Sequence, residues 1–193
     1  MNKQPQITEQ TRKNIIKAFW SIYKKKDISK ITVTETIKKA GYNRATFYNY
    51  FDGIQSILDY VENEIIKNVE ETIDNKTLFS QFNHIILNDI LRLHKIYGEY
   101  FSVLLSEHGD PLFKEKLKET LKPIFYNSLD KSIQPDFKTD IIYEASIYAI
   151  FGAFSCWIKN KDKMESKDFF EFTYNFMGFG MENLMQKDRY FFN

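Results

Sequence analysis

Apolar residues recur every three or four positions along nearly all of this chain, which is the period of a helix. In residues 11 to about 26 the series is Ile15, Ile16, Phe19, Trp20 and Tyr23, one face of an amphipathic helix. Residues 28–31 read as a short loop, and Thr32 is placed to cap a second helix. There Ile31, Val33, Ile37 and Ala40 fall on one side, and Gly41 breaks the run, because glycine takes a left-handed helix end at low cost. Asn43 is an N-cap for a third segment, residues 44–51, too short to be a stable helix by itself in water. Phe47 and Phe51, four apart, supply its inward face. From about Gly53 a long pattern follows through Ile54, Ile57, Leu58, Val61, Ile65, Ile66, Val69 and Ile73, ending at the polar break Asp74-Asn75-Lys76.

The remainder is also helical in pattern. Residues 78 to about 96 carry Phe82, Ile85, Ile86, Ile90 and Leu93, and a short segment at 100–105 ends at the Gly109-Asp110-Pro111 break. Residues 111 to about 131 form a further helix, with a kink expected at Pro123. The last two begin near Phe137 and Ser166 and run to about 158 and 186. The expected fold is therefore all-α: a disordered tail at 1–10, a three-helix head at 11–60, and a long helix leading into a C-terminal bundle within 61–193. The last two helices are apolar around most of their circumference, with Ala145, Ala149, Gly152, Ala153, Gly178 and Gly180 among aromatics. Such helices fill the core of a larger bundle or meet a partner.

Charge separates the two parts. Residues 1–51 hold 11 Lys and Arg against 3 Asp and Glu, a net of +8, and the rest carries −7, although the whole chain is only +1. A basic head on an acidic body suits a protein that meets phosphates at one end only. The scarcity of Gly and Pro, 7 and 4, argues against a β-rich fold. No apolar run approaches the ~20 residues of a membrane span. The N-terminus lacks the apolar core of a signal peptide, so a cytoplasmic protein with no membrane partner is expected. Cys156, the lone cysteine, is expected to be a small buried hydrophobe.

The two short helices around Gly41 read as a helix-turn-helix, whose second helix enters the major groove of double-stranded DNA. An ordinary helical hairpin would have the same spacing. The residue identities favour DNA. Ile31-Thr32-Val33, Ile37, Ala40-Gly41, Thr46-Phe47-Tyr48 and Phe51 resemble, in order and spacing, the DNA-binding domain of the TetR family of transcriptional repressors. The likeness reaches back to Thr11-Arg12, Ile15-Ile16 and Ala18-Phe19, and forward to Ile57-Leu58. It implies a homodimeric repressor that leaves a palindromic operator when a small effector binds, with the last two helices as the dimer seam. The DNA contacts expected are Thr32, Thr34, Arg44, Thr46, Tyr48, Asn49 and Tyr50. Arg44 suits guanine and Asn49 adenine. Thr32, Thr34, Tyr48 and Tyr50 suit phosphates, and Thr46 suits either. Two positions depart from the family pattern: Gly53-Ile54 replaces a Ser-Lys pair at a phosphate anchor, leaving Gln55 and Ser56 as donors, and Tyr50 stands where His is frequent.

Chemistry beyond binding is not legible. His84, His94 and His108 have no ligand partners at metal-binding spacing, and neither a cofactor motif nor a nucleophile motif is present, so no enzyme, metal or cofactor is expected. From Thr77 onward, 23 of 117 residues are aromatic, which suits a solid core or a pocket for a small apolar or aromatic effector. The wall residues expected are His84, Phe101, Leu104, Phe125, Tyr143 and Trp157. A body that binds another protein rather than a metabolite is the alternative.

Overall fold

The computed structural model describes residues 3–73, 84–106, 109–128 and 134–185, with side chains over 8–73, 87–106, 109–127 and 134–177. The described residues form eight α-helices, one 3₁₀ turn and no strand, the all-α architecture expected. The chain divides into two compact units, Met1–Ile65 and Ile66–Asn193.

In the first unit, α1 spans Lys3–Tyr23, so residues expected as a tail belong to a helix. Pro5 does not prevent this, because an amide in the first turn has no intrahelical partner to lose. Ile15, Phe19 and Tyr23 form the buried face, with Phe19 and Tyr23 stacked 5.5 Å apart. The expected loop is a 3₁₀ turn, Ile28–Lys30, opened by the Asp27 carboxylate accepting from the Ser29 amide. Helix α2 spans Val33–Ala40; the Thr32 hydroxyl accepts from the Glu35 amide at 3.2 Å, and Gly41 closes the helix at φ 77°. Helix α3, Arg44–Tyr48, starts from Asn43, whose side chain accepts from the Thr46 amide at 2.8 Å. It ends before Phe51, because the Tyr50 amide turns back to the Phe47 carbonyl at 2.9 Å. That turn sends Phe51 inward, 6.0 Å from Phe47 and 6.0 Å from Tyr60. Among the described residues, none beyond its chain neighbours comes within 4 Å of a Cβ built on Gly41, so Gly41→Ala meets only backbone strain. We expect it to cost ~1–2 kcal/mol in a denaturant titration, and an unchanged midpoint would contradict that account.

Helix α4, Ile54–Ile73, buries Ile57, Leu58, Val61 and Ile65 and crosses from the first unit into the second. The two compact units meet at 65/66, within this helix. The polar break at 74–76 lies outside the described residues.

The second unit contains α5 (His84–Leu104), α6 (Pro111–Ser128), α7 (Phe137–Ile158) and α8 (Ser166–Met185). The main packing pairs α5 with α6 and α8, and α7 with the same two helices. The two segments expected at 78–96 and 100–105 are one helix where described. Gly98 sits between them without ending it, and a Cβ there would come within 2.8 Å of the His94 ring. Glycine is at that position to make room for a side chain. Helix α6 continues through Pro123. Helix α7 opens with a capping box in which Asp136 and Thr139 bond each other's amides. Trp157 of α7 stacks on Phe169 of α8 at 4.7 Å.

Two expectations about α7 fail. Cys156 is exposed rather than buried, because the apolar surface of this helix extends beyond the face that packs on α6 and α8. Helix α7 also reaches the length and apolarity of a membrane span, although only 28% of its most apolar stretch is buried. The exposed residues include Ile141, Ala145, Tyr148, Ala149, Gly152 and Cys156, which share a face by helical spacing. On α8, Phe172 and Phe176 are 63% and 66% exposed, their rings stacked 6.4 Å apart. Side chains at 178–185, including Gly178 and Gly180, lie outside the described residues.

Candidate nucleic-acid interface and ligand cavity

In the first unit the expected DNA contacts lie on two short helices and at their ends: Thr34 on α2, Arg44, Thr46 and Tyr48 on α3, with Thr32 capping α2 and Asn49 and Tyr50 following α3. Thr32 is exposed, and its hydroxyl is engaged as the cap of α2. Thr34, in the first turn of α2, accepts a hydrogen bond from Arg44 Nη2 at 2.9 Å, across the turn. Arg44 and Asn49 are exposed, Thr46 is half-buried, and Tyr48 is 53% exposed with its ring 5.4 Å from Phe47. Tyr50 is half-buried beneath the Arg12 guanidinium, which lies 5.8 Å from its ring and 5.4 Å from that of Tyr60.

The two donors expected to replace the missing phosphate anchor are engaged within the chain. The Ser56 hydroxyl donates to the Gly53 carbonyl at 2.9 Å, and Gln55 Nε2 donates to Asp59 at 3.0 Å. Sequence reading passed over two tethers that fix α2. Lys26 reaches Glu35 at 2.7 Å, and Asn14 of α1 donates to the Tyr42 hydroxyl in the turn at 2.9 Å. The Asn14–Tyr42 pair is 28 residues apart in sequence, beyond any local pattern.

In the second unit two cavities adjoin. The larger, about 200 Å³, is lined by Phe125 and Tyr143, two of the candidate wall residues, and by Ile147, Thr173, Tyr174 and Met177 among others. The smaller, about 130 Å³, is lined by Phe101, a third candidate, and by Leu93, His94, Leu117 and Phe154 among others. Ile73, Ile90, Leu121 and Phe170 wall both. Leu104 is fully buried but lines neither, and Trp157 is buried against Phe169, its indole N–H donating to the Met164 carbonyl at 2.8 Å. Both pack into the core instead. His84 opens α5, and its side chain lies outside the described residues.

His94 is the histidine in this wall. Its ring is enclosed by Phe154, Trp157 and Phe170 at 6.5, 5.3 and 5.2 Å. Burial, and then the positive charge of Lys161, hold its imidazole below its ordinary pKa of 6.5, so it is neutral at neutral pH. The signal in the sequence was Gly98, one turn later. Tyr143 keeps its hydroxyl out of the cavity by donating to the Lys118 carbonyl, and burial raises its pKa well above the ordinary tyrosine value. Both cavities therefore present almost wholly apolar walls. Among the described residues no group of His, Cys, Asp and Glu could hold a metal ion.

Residues 83–178, which lie in the second unit, match a family model of the TetR type described as a transcriptional regulator C-terminal region. The fold is that of three solved regulators. A TetR transcriptional regulator from Streptococcus agalactiae is 20% identical, with a TM-score of 0.64 over 90% of this chain and 97% of that one. The fatty acid degradation regulator FadR from Bacillus halodurans is 13% identical, at 0.60 over 89% and 96%. The dihydroxyacetone kinase operon activator DhaS is 18% identical, at 0.51 over 89% and 96%. No curated protein matches the chain significantly.

Proposed function

Because the chain belongs to the TetR family of transcriptional regulators, we propose that it is a homodimeric repressor, bound to a palindromic operator and released by a small apolar effector. It acts on double-stranded DNA in the cytoplasm, through α2 and α3. The exposed apolar faces of α7 and α8 are the dimer seam: a partner copy would cover Ile141, Ala149, Phe172 and Phe176, which the single chain leaves in water.

One observation carries the release mechanism. Helix α4 begins in the first unit, and its last residue, Ile73, lines both cavities of the second. A ligand that enters either cavity presses on that end of the helix, and the helix carries the displacement to the head. Two heads whose spacing has changed no longer fit paired half-sites. An apolar cavity of about 150 Å³ takes one benzene. The larger cavity accepts a group slightly above that size, and the pair together about twice as much. Away from His94, whose buried Nε2 has no hydrogen-bond partner, a polar group on the ligand would lose its hydrogen bonds at a cost of ~1–3 kcal/mol, so the effector is apolar over most of its buried surface.

The cavities weigh against a body that binds a protein through a solid core, and a single imidazole, His94, amid apolar walls has no acid, base or nucleophile grouped with it to serve an enzyme. The test is to screen small aromatic and apolar compounds for thermal stabilisation and titrate each hit against operator binding. We expect the hits to weaken DNA binding about 5- to 150-fold, with DNA weakening the ligand by the same factor. Stabilising hits that leave DNA affinity unchanged would contradict regulation through this site.

A further inference from the structure

We propose that Thr34 is a specificity-determining residue that acts through Arg44, holding its guanidinium in position to read a base rather than anchoring a phosphate itself. The inference rests on the reading of Arg44 as the guanine-contacting residue.

Arg44 is set apart by its partners. Of the three arginines among the described residues, Arg12 is paired with Glu9 at 3.0 Å and Arg92 with Asp89 at 3.7 Å. Arg44 has no carboxylate partner among the described residues; what it has is the Thr34 hydroxyl, 2.9 Å from Nη2. An acid there would neutralise the guanidinium and compete with DNA. A hydroxyl fixes its direction and leaves its charge unspent. Nη2 carries two protons, so one can remain on Thr34 while the rest of the fork faces a base edge. The Thr34 oxygen accepts this bond and keeps its own proton to donate elsewhere.

Both ends of the bond are held by the backbone. Thr34 lies two residues after the Thr32 cap, and α2 is tied down by the Lys26–Glu35 pair at 2.7 Å. Arg44 is the first residue of α3, next to the Asn43 cap, so its backbone is fixed by the Asn43–Thr46 bond. Only the long side chain is left to order, and the Thr34 bond orders it before DNA arrives. Immobilising one such side chain on binding weakens an interaction by roughly 2- to 12-fold, and that is the scale of the advantage at each half-site. The advantage is confined to the base that Arg44 meets. A freed guanidinium still finds phosphates, which are the same at every sequence.

The experiment starts from an operator selected by the wild-type protein out of randomised duplexes. Affinities are then measured for that operator and for its single-base variants, with Thr34→Val, Thr34→Ser, Arg44→Ala and the double variant Thr34→Val/Arg44→Ala. Thr34 is exposed, so both substitutions leave the fold intact, which circular dichroism checks. The expected result is that Thr34→Val lowers discrimination at one position per half-site by about 2- to 12-fold, that Thr34→Ser restores it, and that the valine has no further effect on preference once Arg44 is alanine. Weakening by Thr34→Val that is equal for all operator variants would mark a plain phosphate anchor and overturn the proposal. If Arg44→Ala shifts preference and Thr34→Val does not, the proposal fails and the reading of Arg44 stands. If Arg44→Ala shifts no preference, both fail.

Discussion

Ala149→Glu and Phe176→Glu are each expected to yield a folded monomer that no longer holds an operator at concentrations where the wild type does. Both positions are exposed in the single chain, so a glutamate is hydrated there and the fold of the protomer is kept. In the proposed seam the same carboxylate is desolvated without a partner, at a cost of several kcal/mol, and two-fold symmetry places a second copy in the same interface. At 1.4 kcal/mol per tenfold, ~4 kcal/mol weakens the dimer about a thousandfold. Sedimentation velocity reads the result directly, with circular dichroism to confirm helix content. A dimer that persists in both variants would place the seam elsewhere. A monomer that still binds the operator tightly would show that one head suffices.

The second large effect is at the head. Arg44→Ala is expected to cost roughly 1–3 kcal/mol of operator affinity per half-site and to relax base preference at one position. Gel-shift titration against the selected operator and a scrambled duplex separates this from a general loss, since only the operator complex should weaken by the full amount. Substituting alanine for an exposed lysine of the head, Lys24 or Lys38, is expected to weaken both duplexes alike and reduce the salt slope by about one. An Arg44→Ala protein that binds the operator like the wild type would remove Arg44 from the interface.

What could be read from the chain was set by how local each signal is. Thr32, Gly41 and Asn43 act within one turn of themselves, so the boundaries of α2 and the start of α3 followed from residue types alone. The inward turn of Phe51 was legible as a period, but not the early end of α3, which depends on the Tyr50 amide reaching back to Phe47. Gly98 is the instructive failure. Its effect depends on a histidine ring boxed by α7 and α8, which no window of sequence contains, so one helix read as two segments. The same limit applied to the cavities. Phe101, Phe125 and Tyr143 were named from the aromatic content of the body, yet which residues line a void depends on how the helices of the second unit face one another. Trp157 therefore stacks on Phe169, while His94 and Phe170 line the wall. On α7, an apolar surface all round was visible, but not which part the protomer buries, and Cys156 proved exposed.

Two copies of this chain, joined through α7 and α8, are proposed to read one palindromic site with two copies of α3. The most direct measurement is to select duplexes from a randomised pool with the wild-type protein and to weigh the resulting complex by native mass spectrometry. The expected product is an inverted repeat, its half-site centres about one helical turn apart or slightly more, carrying two chains per duplex. A selected pool without symmetry, or a complex of one chain per site, would contradict it.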